Sequence, residues 1–309
     1  MPVNLQIDLG GLTMKNPVTV ASGTFGYGAE YADYFDVSQL GAVTVKSLSL
    51  EPRSGNVPPR IVETPSGMLN AIGLQNVGME TYLREKLPFL REKKCVIIAN
   101  IYGSGPEAYA SLASRLEAEG GADAIEANLS CPNVHDAQNA RGGSLVAQHP
   151  DQVALYTQAI REATKLPVFI KLSPNVTDIV EPALAAQEAG ADAVSLINTL
   201  IGMAIDSETR KPRISNIVGG LSGPAIRPVA LKMVWDVSRA LHIPVLGMGG
   251  IATADDAVQF LLAGARAVAI GCASFRNPDA ALKVVQGIEN YCQQHGISDV
   301  NELVGAVKL

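Results

Sequence analysis

The stretch Gly190-Ala191-Asp192-Ala193-Val194-Ser195-Leu196-Ile197 combines two signals that decide the fold. A glycine, which commonly ends a helix, is followed at once by a short apolar run rich in β-branched residues. The same pattern recurs at Gly121-Ala122-Asp123-Ala124 and Gly264-Ala265-Arg266-Ala267, and in shorter form at Gly41-Ala42. Each occurrence predicts that a helix ends and that a buried strand begins directly after it.

Eight such apolar runs predict eight strands, at residues 18–21, 42–45, 96–99, 124–127, 168–170, 193–197, 244–246 and 267–270. Helical patterns lie between most of them, at residues 106–119, 150–164, 178–189, 226–241, 254–262 and 278–293. Strands that alternate with helices form parallel βαβ units, and eight units predict an α/β fold of the (β/α)8 TIM-barrel type. The alternative is an open doubly wound sheet. It expects a GxGxxG fingerprint after the first strand, and Gly23-Thr24-Phe25-Gly26-Tyr27-Gly28 does not have that spacing.

Two segments lie outside the repeat. Residues 5–14 read as a hairpin that turns at Gly10-Gly11, and we expect it to cap the bottom of the barrel. Residues 51–82, inserted after the second strand, are too long for a simple loop, and such insertions are usually functional. We therefore predict one domain over residues 1–309, with an N-terminal hairpin and an inserted segment after strand 2.

Composition narrows the function classes. The chain has 309 residues, 47% of them hydrophobic and 17% charged, so a large core is expected and disorder is not. The net charge of -6 disfavours nucleic acid as a partner. The sequence has no long apolar stretch for a membrane and no signal peptide at its start, so we expect a cytoplasmic protein. The four cysteines form no CxxC and the four histidines show no metal spacing, which predicts reduced thiols and no metal site.

The carboxyl ends of the strands form the active site in this fold. Those ends carry Ser22-Gly23, Lys46-Ser47, Asn100, Asn128 with Cys131, Lys171, Asn198-Thr199, Gly249-Gly250 and Gly271-Cys272. A lysine there is costly unless it meets an anion, and no other end in this set supplies Asp or Glu, so we expect anionic or electron-rich ligands. The glycine-rich ends of the seventh and eighth strands predict a phosphate site.

Cys131 stands in the run Asn128-Leu129-Ser130-Cys131-Pro132-Asn133. An isolated buried cysteine is usually an inert small hydrophobe. This one follows a strand end among polar groups, where a thiol can act as a nucleophile or as a general base. His135 lies in the same loop and could tune the thiol, although a solvated loop histidine is the simpler interpretation.

Several of these motifs, in this order along nearly the whole chain, resemble the class 1 dihydroorotate dehydrogenases. The motifs are Ala21-Ser22-Gly23, Lys46-Ser47, Asn70-Ala71-Ile72-Gly73-Leu74-Gln75-Asn76, Asn128-Leu129-Ser130-Cys131-Pro132-Asn133, Lys171-Leu172-Ser173-Pro174-Asn175, Asn198-Thr199, Gly219-Gly220-Leu221-Ser222-Gly223 and Gly247-Met248-Gly249-Gly250. The sequence around Asn70 and after Asn198 is most similar to the NAD-linked class 1B catalytic subunit. It is less similar to the fumarate-linked homodimers of class 1A.

The resemblance implies one FMN per chain and oxidation of (S)-dihydroorotate to orotate in pyrimidine biosynthesis. It implies that Cys131 takes the C5 proton as general base while the C6 hydride goes to the flavin. The implied substrate-binding residues are Lys46, Asn70, Ala71, Ile72, Gly73, Leu74, Asn128, Asn198 and Thr199. The implied FMN-binding residues are Ser22, Lys46, Ser47, Asn100, Asn128, Lys171, Ile197, Gly223, Gly249, Gly250, Gly271 and Cys272.

The resemblance also implies a partner subunit that carries FAD and a 2Fe-2S cluster and passes electrons to NAD, in a heterotetramer built on a homodimer core. Two features depart from the family pattern. Cys272 stands where a threonine is usual, and the loop over residues 134–143, expected to be a lid, is longer than usual in class 1B.

Other functions stay open at this point. They are a class 1A-like homodimer that reduces fumarate, a Schiff-base aldolase that uses Lys46 or Lys171, and a non-catalytic flavin- or phosphate-binding barrel. A dihydrouridine synthase-like role on RNA is disfavoured by the acidic charge.

Overall fold

A computed structural model of the chain describes residues 2–130 and 146–308. In chain order its strands are β1 (Ile7–Leu9), β2 (Leu12–Met14), β3 (Val18–Val20), β4 (Val43–Thr44), β5 (Ile61–Thr64), β6 (Gly67–Asn70), β7 (Ile97–Ile101), β8 (Ala124–Asn128), β9 (Val168–Lys171), β10 (Ala193–Leu196), β11 (Leu200–Met203), β12 (Ile205–Asp206), β13 (Lys211–Pro212), β14 (Val218–Ser222), β15 (Val245–Met248) and β16 (Ala267–Ile270). The α-helices are α1 (Gly78–Thr81), α2 (Leu87–Glu92), α3 (Pro106–Ala118), α4 (Pro150–Ala163), α5 (Val180–Glu188), α6 (Arg227–Ala240), α7 (Ala254–Leu262), α8 (Ala273–Arg276) and α9 (Ala280–Gln294).

Eight strands form one parallel sheet in the order β3-β16-β15-β10-β9-β8-β7-β4, which confirms the predicted barrel. Each predicted strand and each predicted helix is present, with bounds within two residues of those expected. The barrel strands are buried throughout, as parallel strands covered by helices must be. Within the described residues, no helix is both long and apolar enough to cross a bilayer.

The barrel closes between β3 and β4, which stand at the two edges of the sheet. Thr19 Oγ1 and Thr44 Oγ1, both buried, lie 3.0 Å apart and share a hydrogen bond across this seam. The backbone amide of Gly41 also donates to the carbonyl of Val18 over 2.9 Å. A side-chain hydrogen bond thus joins two strands that share no backbone ladder.

Replacing either threonine of the seam by valine should destabilise the protein more than replacing both. Thr19→Val or Thr44→Val leaves the other buried hydroxyl without its partner, at a cost of about 1–3 kcal/mol. The double variant removes both polar atoms and should recover most of that loss. Urea unfolding of the four proteins measures the cycle, and strictly additive losses would contradict a hydrogen bond between the two residues.

The hairpin predicted at residues 5–14 is confirmed as β1 and β2, which pair in antiparallel fashion. Its turn lies at the amino-terminal end of the barrel. A Cβ added to Gly10 would come within 2.2 Å of the carbonyl oxygen of Asp192, the residue just before β10. The turn therefore packs on the bottom of the barrel, opposite the carboxyl ends of the strands.

The inserted segment contributes β5 and β6 to a separate antiparallel sheet in the order β11-β14-β6-β5. In this sheet Asn70 pairs with Gly220, and Leu200 pairs with Leu221. The sequence interpretation recognised the insertion but not its partner strands β11 and β14. Because β11 begins just after β10 ends, this small sheet lies beside the carboxyl ends of the barrel strands.

Candidate active site

A cavity of about 320 Å³ lies at the carboxyl ends of the barrel strands, with the small antiparallel sheet as one wall. Most residues predicted for the site line it. They are Ser22, Lys46, Ser47, Asn128, Lys171, Ile197, Asn198, Thr199, Gly223, Gly249, Gly250, Gly271 and Cys272, together with Asn70, Ile72, Gly73 and Leu74 from the insertion. Residues that are up to 250 positions apart in sequence therefore meet around one pocket, because most of them lie at or just after the end of a barrel strand.

Two predicted residues lie outside the lining of this cavity. Ala71 is fully buried, and its backbone amide donates to the carbonyl of Arg60 over 2.8 Å. Asn100 is also fully buried. It accepts a hydrogen bond from Ser47 and donates to Glu126, so it supports the wall from behind.

Cys131 and the predicted lid over residues 134–143 lie outside the described residues. The side chains just before Cys131 are described and are held in one hydrogen-bonded group. Asn198 Nδ2 donates to Ser130 Oγ over 2.8 Å, and Ser130 Oγ donates to Asn128 Oδ1 over 3.1 Å. The amide of Thr199 donates to Asn198 Oδ1 over 2.8 Å, which fixes the orientation of that amide side chain.

The two lysines of the cavity have different surroundings. Among residues 2–130 and 146–308, no carboxylate forms an ion pair with the partly buried Lys46. Burial, and then repulsion by the Arg60 guanidinium, lower the pKa of Lys46 below the ordinary lysine value of 10.5. Lys46 is therefore a cation that a bound anion would stabilise.

Lys171 corrects the expectation that no carboxylate is available to the strand-end lysines. Its Nζ lies 3.5 Å from Glu126 Oε1, and both side chains are buried. Glu126 was overlooked because it lies within β8 rather than at its end. The backbone register places Asn128 opposite Lys171. Glu126 precedes Asn128 by two residues, so it faces the same side of the sheet and lies one step further from the carboxyl end of the strand.

The glycines on one side of the cavity allow close packing of its backbone. Gly223 and Gly250 have φ values of +101° and +77°, which favour glycine. A Cβ on Gly250 would lie 2.7 Å from the carbonyl oxygen of Gly223. The two backbone segments can approach each other in this way only because Gly250 has no side chain.

Gly271 is different because the protein itself does not need a glycine there. Its φ is not in the left-handed region, and a Cβ would meet only Ala21 and Thr24, at 3.6 and 4.0 Å. Gly271 lines the cavity at the end of β16. The missing side chain therefore leaves room for a ligand, which fits the prediction of a bulky phosphate-bearing group on this side.

Other lining residues were not predicted. They are Ala21, Thr24, Arg60, Ile61, Met68, Gln75, Ser222, Ile226, Met248, Ile251, Ala269 and Phe275. Arg60 donates to the carbonyl of Asn56 over 3.1 Å and to the side chain of Gln75, which holds its guanidinium at the cavity. The alternation of side chains along β6 could have predicted Met68, because it lies two positions before Asn70 and therefore on the same face of the strand.

The barrel and its cavity together define a (β/α)8-barrel enzyme whose site combines cations, amides and open glycine-lined space at the carboxyl ends of the strands. By sequence, residues 4–292 match the family described as dihydroorotate dehydrogenase. The chain belongs to the dihydroorotate dehydrogenase family, as its motifs predicted.

Relatives over the full length have a more specific name. The chain is 54% identical to a protein of Pelobacter propionicus and 53% identical to one of Desulforamulus reducens, each aligned over 100% of both chains. Both are named dihydroorotate dehydrogenase B (NAD(+)), catalytic subunit, so the similarity to class 1B is confirmed. Among solved structures, a dihydroorotate dehydrogenase of Eimeria tenella in complex with ferulenol aligns with a TM-score of 0.79 at 25% identity. That alignment covers 98% of this chain and 88% of the other.

Proposed function

We propose that this protein oxidises (S)-dihydroorotate to orotate in pyrimidine biosynthesis, with FMN as its cofactor. The observation that carries the proposal is the convergence on one cavity of three amide side chains and of Lys46, which has no ion-pair partner among the described residues, in a chain of this family. Orotate is a planar anion bearing carbonyl and N–H groups. Amides that both donate and accept satisfy such groups, which would otherwise be buried unpaired.

FMN would lie against the part of the cavity wall that the substrate-binding residues leave free. Gly223, Gly249, Gly250, Gly271 and Cys272 would hold its phosphate and ribityl side, where backbone approaches closely and Gly271 leaves space. Ser22, Ser47, Lys171 and Ile197 would line its ring system. When bound, FMN would accept the hydride that leaves C6 of the substrate.

The chain's own side chains bind and orient the substrate. Asn70, Asn128 and Asn198 would contact the ring, and Asn198 is already fixed by Thr199 and Ser130. Lys46 would face the substrate carboxylate, whose charge compensates the cost of keeping that ammonium partly buried. Ile72, Gly73 and Leu74 from the insertion would close the pocket around the substrate.

Cys131 is proposed as the general base that takes the proton from C5. It directly follows Ser130 in the sequence, and the Ser130 hydroxyl is hydrogen-bonded to the amide side chains of Asn128 and Asn198. The role of base is preferred to that of nucleophile, because hydride transfer to a cofactor requires no covalent intermediate with the enzyme. A thiol with a pKa near the working pH is suited to this step.

NAD is proposed as the final electron acceptor, reached through a separate subunit that holds FAD and a 2Fe-2S cluster. The names of the relatives in Pelobacter propionicus and Desulforamulus reducens, each a catalytic subunit, support such a partner. The four cysteines of this sequence do not have the spacing of a cluster site. We further propose a homodimer core within a heterotetramer, located in the cytoplasm.

The decisive experiment is the anaerobic addition of dihydroorotate to the purified protein. A yellow protein whose flavin absorbance bleaches supports the proposal, and a colourless protein that FMN cannot reconstitute contradicts it. Reoxidation by fumarate without a partner would identify a class 1A-like enzyme instead. Reoxidation by NAD only when the partner subunit is present supports the class 1B assignment. If the protein is colourless and borohydride inactivates it in the presence of substrate, it is instead an aldolase.

The affinity for orotate should fall as the pH rises through the lowered pKa of Lys46. Above that pKa the lysine is neutral and no longer attracts the carboxylate, and the loss begins at a lower pH than for an ordinary lysine. Lys46→Met should lower the affinity by roughly 10- to 100-fold at neutral pH, from the loss of one charged hydrogen bond. Equilibrium dialysis with labelled orotate measures both effects.

Arg60→Gln changes the pKa of Lys46 and leaves the lysine side chain in place. It removes the repulsion that lowers the pKa of Lys46, so the fall in affinity should move to higher pH even if the absolute affinity changes. In Lys46→Met this pH dependence should disappear. An unchanged pH profile in Lys46→Met would show that another group controls binding.

A further inference from the structure

A buried chain of polar side chains runs through the barrel beneath the cavity. Ser47 Oγ donates to Asn100 Oδ1, and Asn100 Nδ2 donates to Glu126 Oε1 over 2.6 Å. Lys171 Nζ lies 3.5 Å from the same Glu126 oxygen. Ser47 and Lys171, at the two ends of this interior network, line the cavity, whereas Asn100 and Glu126 do not.

Stability alone does not explain the interior network. The side chain of Glu126 is fully buried and that of Lys171 is 5% exposed, and a buried ion pair commonly costs about as much as it gains. Glu126 Oε2 has no hydrogen-bond partner among the described residues, which adds a further cost. Apolar side chains would fill this part of the barrel at lower cost. We therefore expect the ion pair between Glu126 and Lys171 to serve a function at the cavity.

We propose that Glu126 is a positioning residue that holds the Lys171 ammonium at the cavity wall and compensates its charge. The proposal rests on the proposed function, because the compensated charge matters for a flavin bound there. The two lysines would then differ in role. Lys46, which has no ion-pair partner in the part of the chain that the structure describes, presents a positive charge to an anionic substrate, whereas Lys171 presents hydrogen-bond donors with little net charge.

This arrangement has a consequence for electron transfer. A bare cation beside the flavin ring favours the reduced, more negative form and so raises the midpoint potential. By compensating Lys171, Glu126 keeps the potential lower, and a lower potential suits onward transfer to an acceptor such as NAD. Glu126 would thus influence the flavin without lining the cavity.

Glu126→Gln tests the charge because glutamine has the same shape and keeps an acceptor for Asn100. We expect the midpoint potential of bound FMN to rise by the equivalent of at least a tenfold gain in relative affinity for reduced flavin, or about 30 mV for a two-electron couple. Glu126→Asp, which keeps the charge but also perturbs the core, should stay near the wild-type potential. An unchanged potential in Glu126→Gln, or an equal rise in both variants, would overturn the proposal.

A second comparison uses the apoprotein and needs no flavin. Lys171→Met leaves the charge of Glu126 buried without its ion-pair partner, and adding Glu126→Gln removes that charge. The double variant should therefore unfold at a higher urea concentration than Lys171→Met alone. A double variant no more stable than the single one would show that Glu126 is not the partner of Lys171. If the protein binds no FMN, the proposed function fails, whereas this comparison still decides whether the pair exists.

Discussion

Cys131→Ser should slow the reduction of the bound flavin by dihydroorotate by about 10²- to 10⁴-fold near neutral pH, which is the usual contribution of a general base. A serine hydroxyl is a far weaker base than a thiolate, so the proton at C5 is removed slowly. The rate should recover in part at high pH, where hydroxide or ionised serine can take the proton. Stopped-flow measurement of flavin bleaching under anaerobic conditions gives the rate directly.

The control is Cys95→Ser, because Cys95 is buried just before β7, at the opposite end of the barrel from the cavity. This variant should reduce its flavin at the wild-type rate. Retention of FMN and of orotate binding by Cys131→Ser would show that only the proton transfer has been lost. Flavin reduction at an unchanged rate in Cys131→Ser would exclude this thiol as the base.

Gly271→Leu should prevent the retention of FMN and leave the barrel folded. The first carbon of the new side chain makes only ordinary contacts with Ala21 and Thr24, so folding costs little. The rest of the side chain must extend into a cavity of about 320 Å³ that the cofactor needs. We expect the dissociation constant for FMN to rise by at least roughly 10- to 100-fold, the equivalent of 1–3 kcal/mol of overpacking.

Titration of the apoprotein, followed by flavin fluorescence, measures this loss, and thermal unfolding of the apoprotein tests the fold. Gly271→Ala should show a smaller loss than leucine. Gly105→Leu, at an extended position outside the cavity, should keep the wild-type affinity for FMN. Tight binding of FMN by Gly271→Leu would mean that the cofactor does not reach the end of β16.

The barrel could be predicted because its strands are buried on both faces. A run such as that of β16, with every residue buried, appears in the sequence as an uninterrupted apolar stretch next to a glycine. The strand β11 could not be recognised in this way. It is partly exposed and alternates between half-buried and exposed positions, and its sheet joins it through β14 to β6, which lies about 130 residues earlier in the sequence.

The site was predictable where a residue follows a strand end, because the fold brings all such ends together. Lys46, Asn198 and Gly271 were found in this way. Glu126 was missed because it points inward from the middle of a strand, and only the register shows that it lies near Lys171. The position of Cys131, which lies outside the described residues, stays a prediction from its motif.

The seam between β3 and β4 also limits when the protein can fold during synthesis. Among the described residues, β3 finds its ladder partner only in β16, near the other end of the chain. The backbone amide of Asn4 likewise donates to the carbonyl of Ser298 over 2.8 Å. The ribosome therefore releases β3 some 250 residues before its partner, and the barrel is completed only after β16 has emerged. The first strand of the barrel to be made is among the last to be paired.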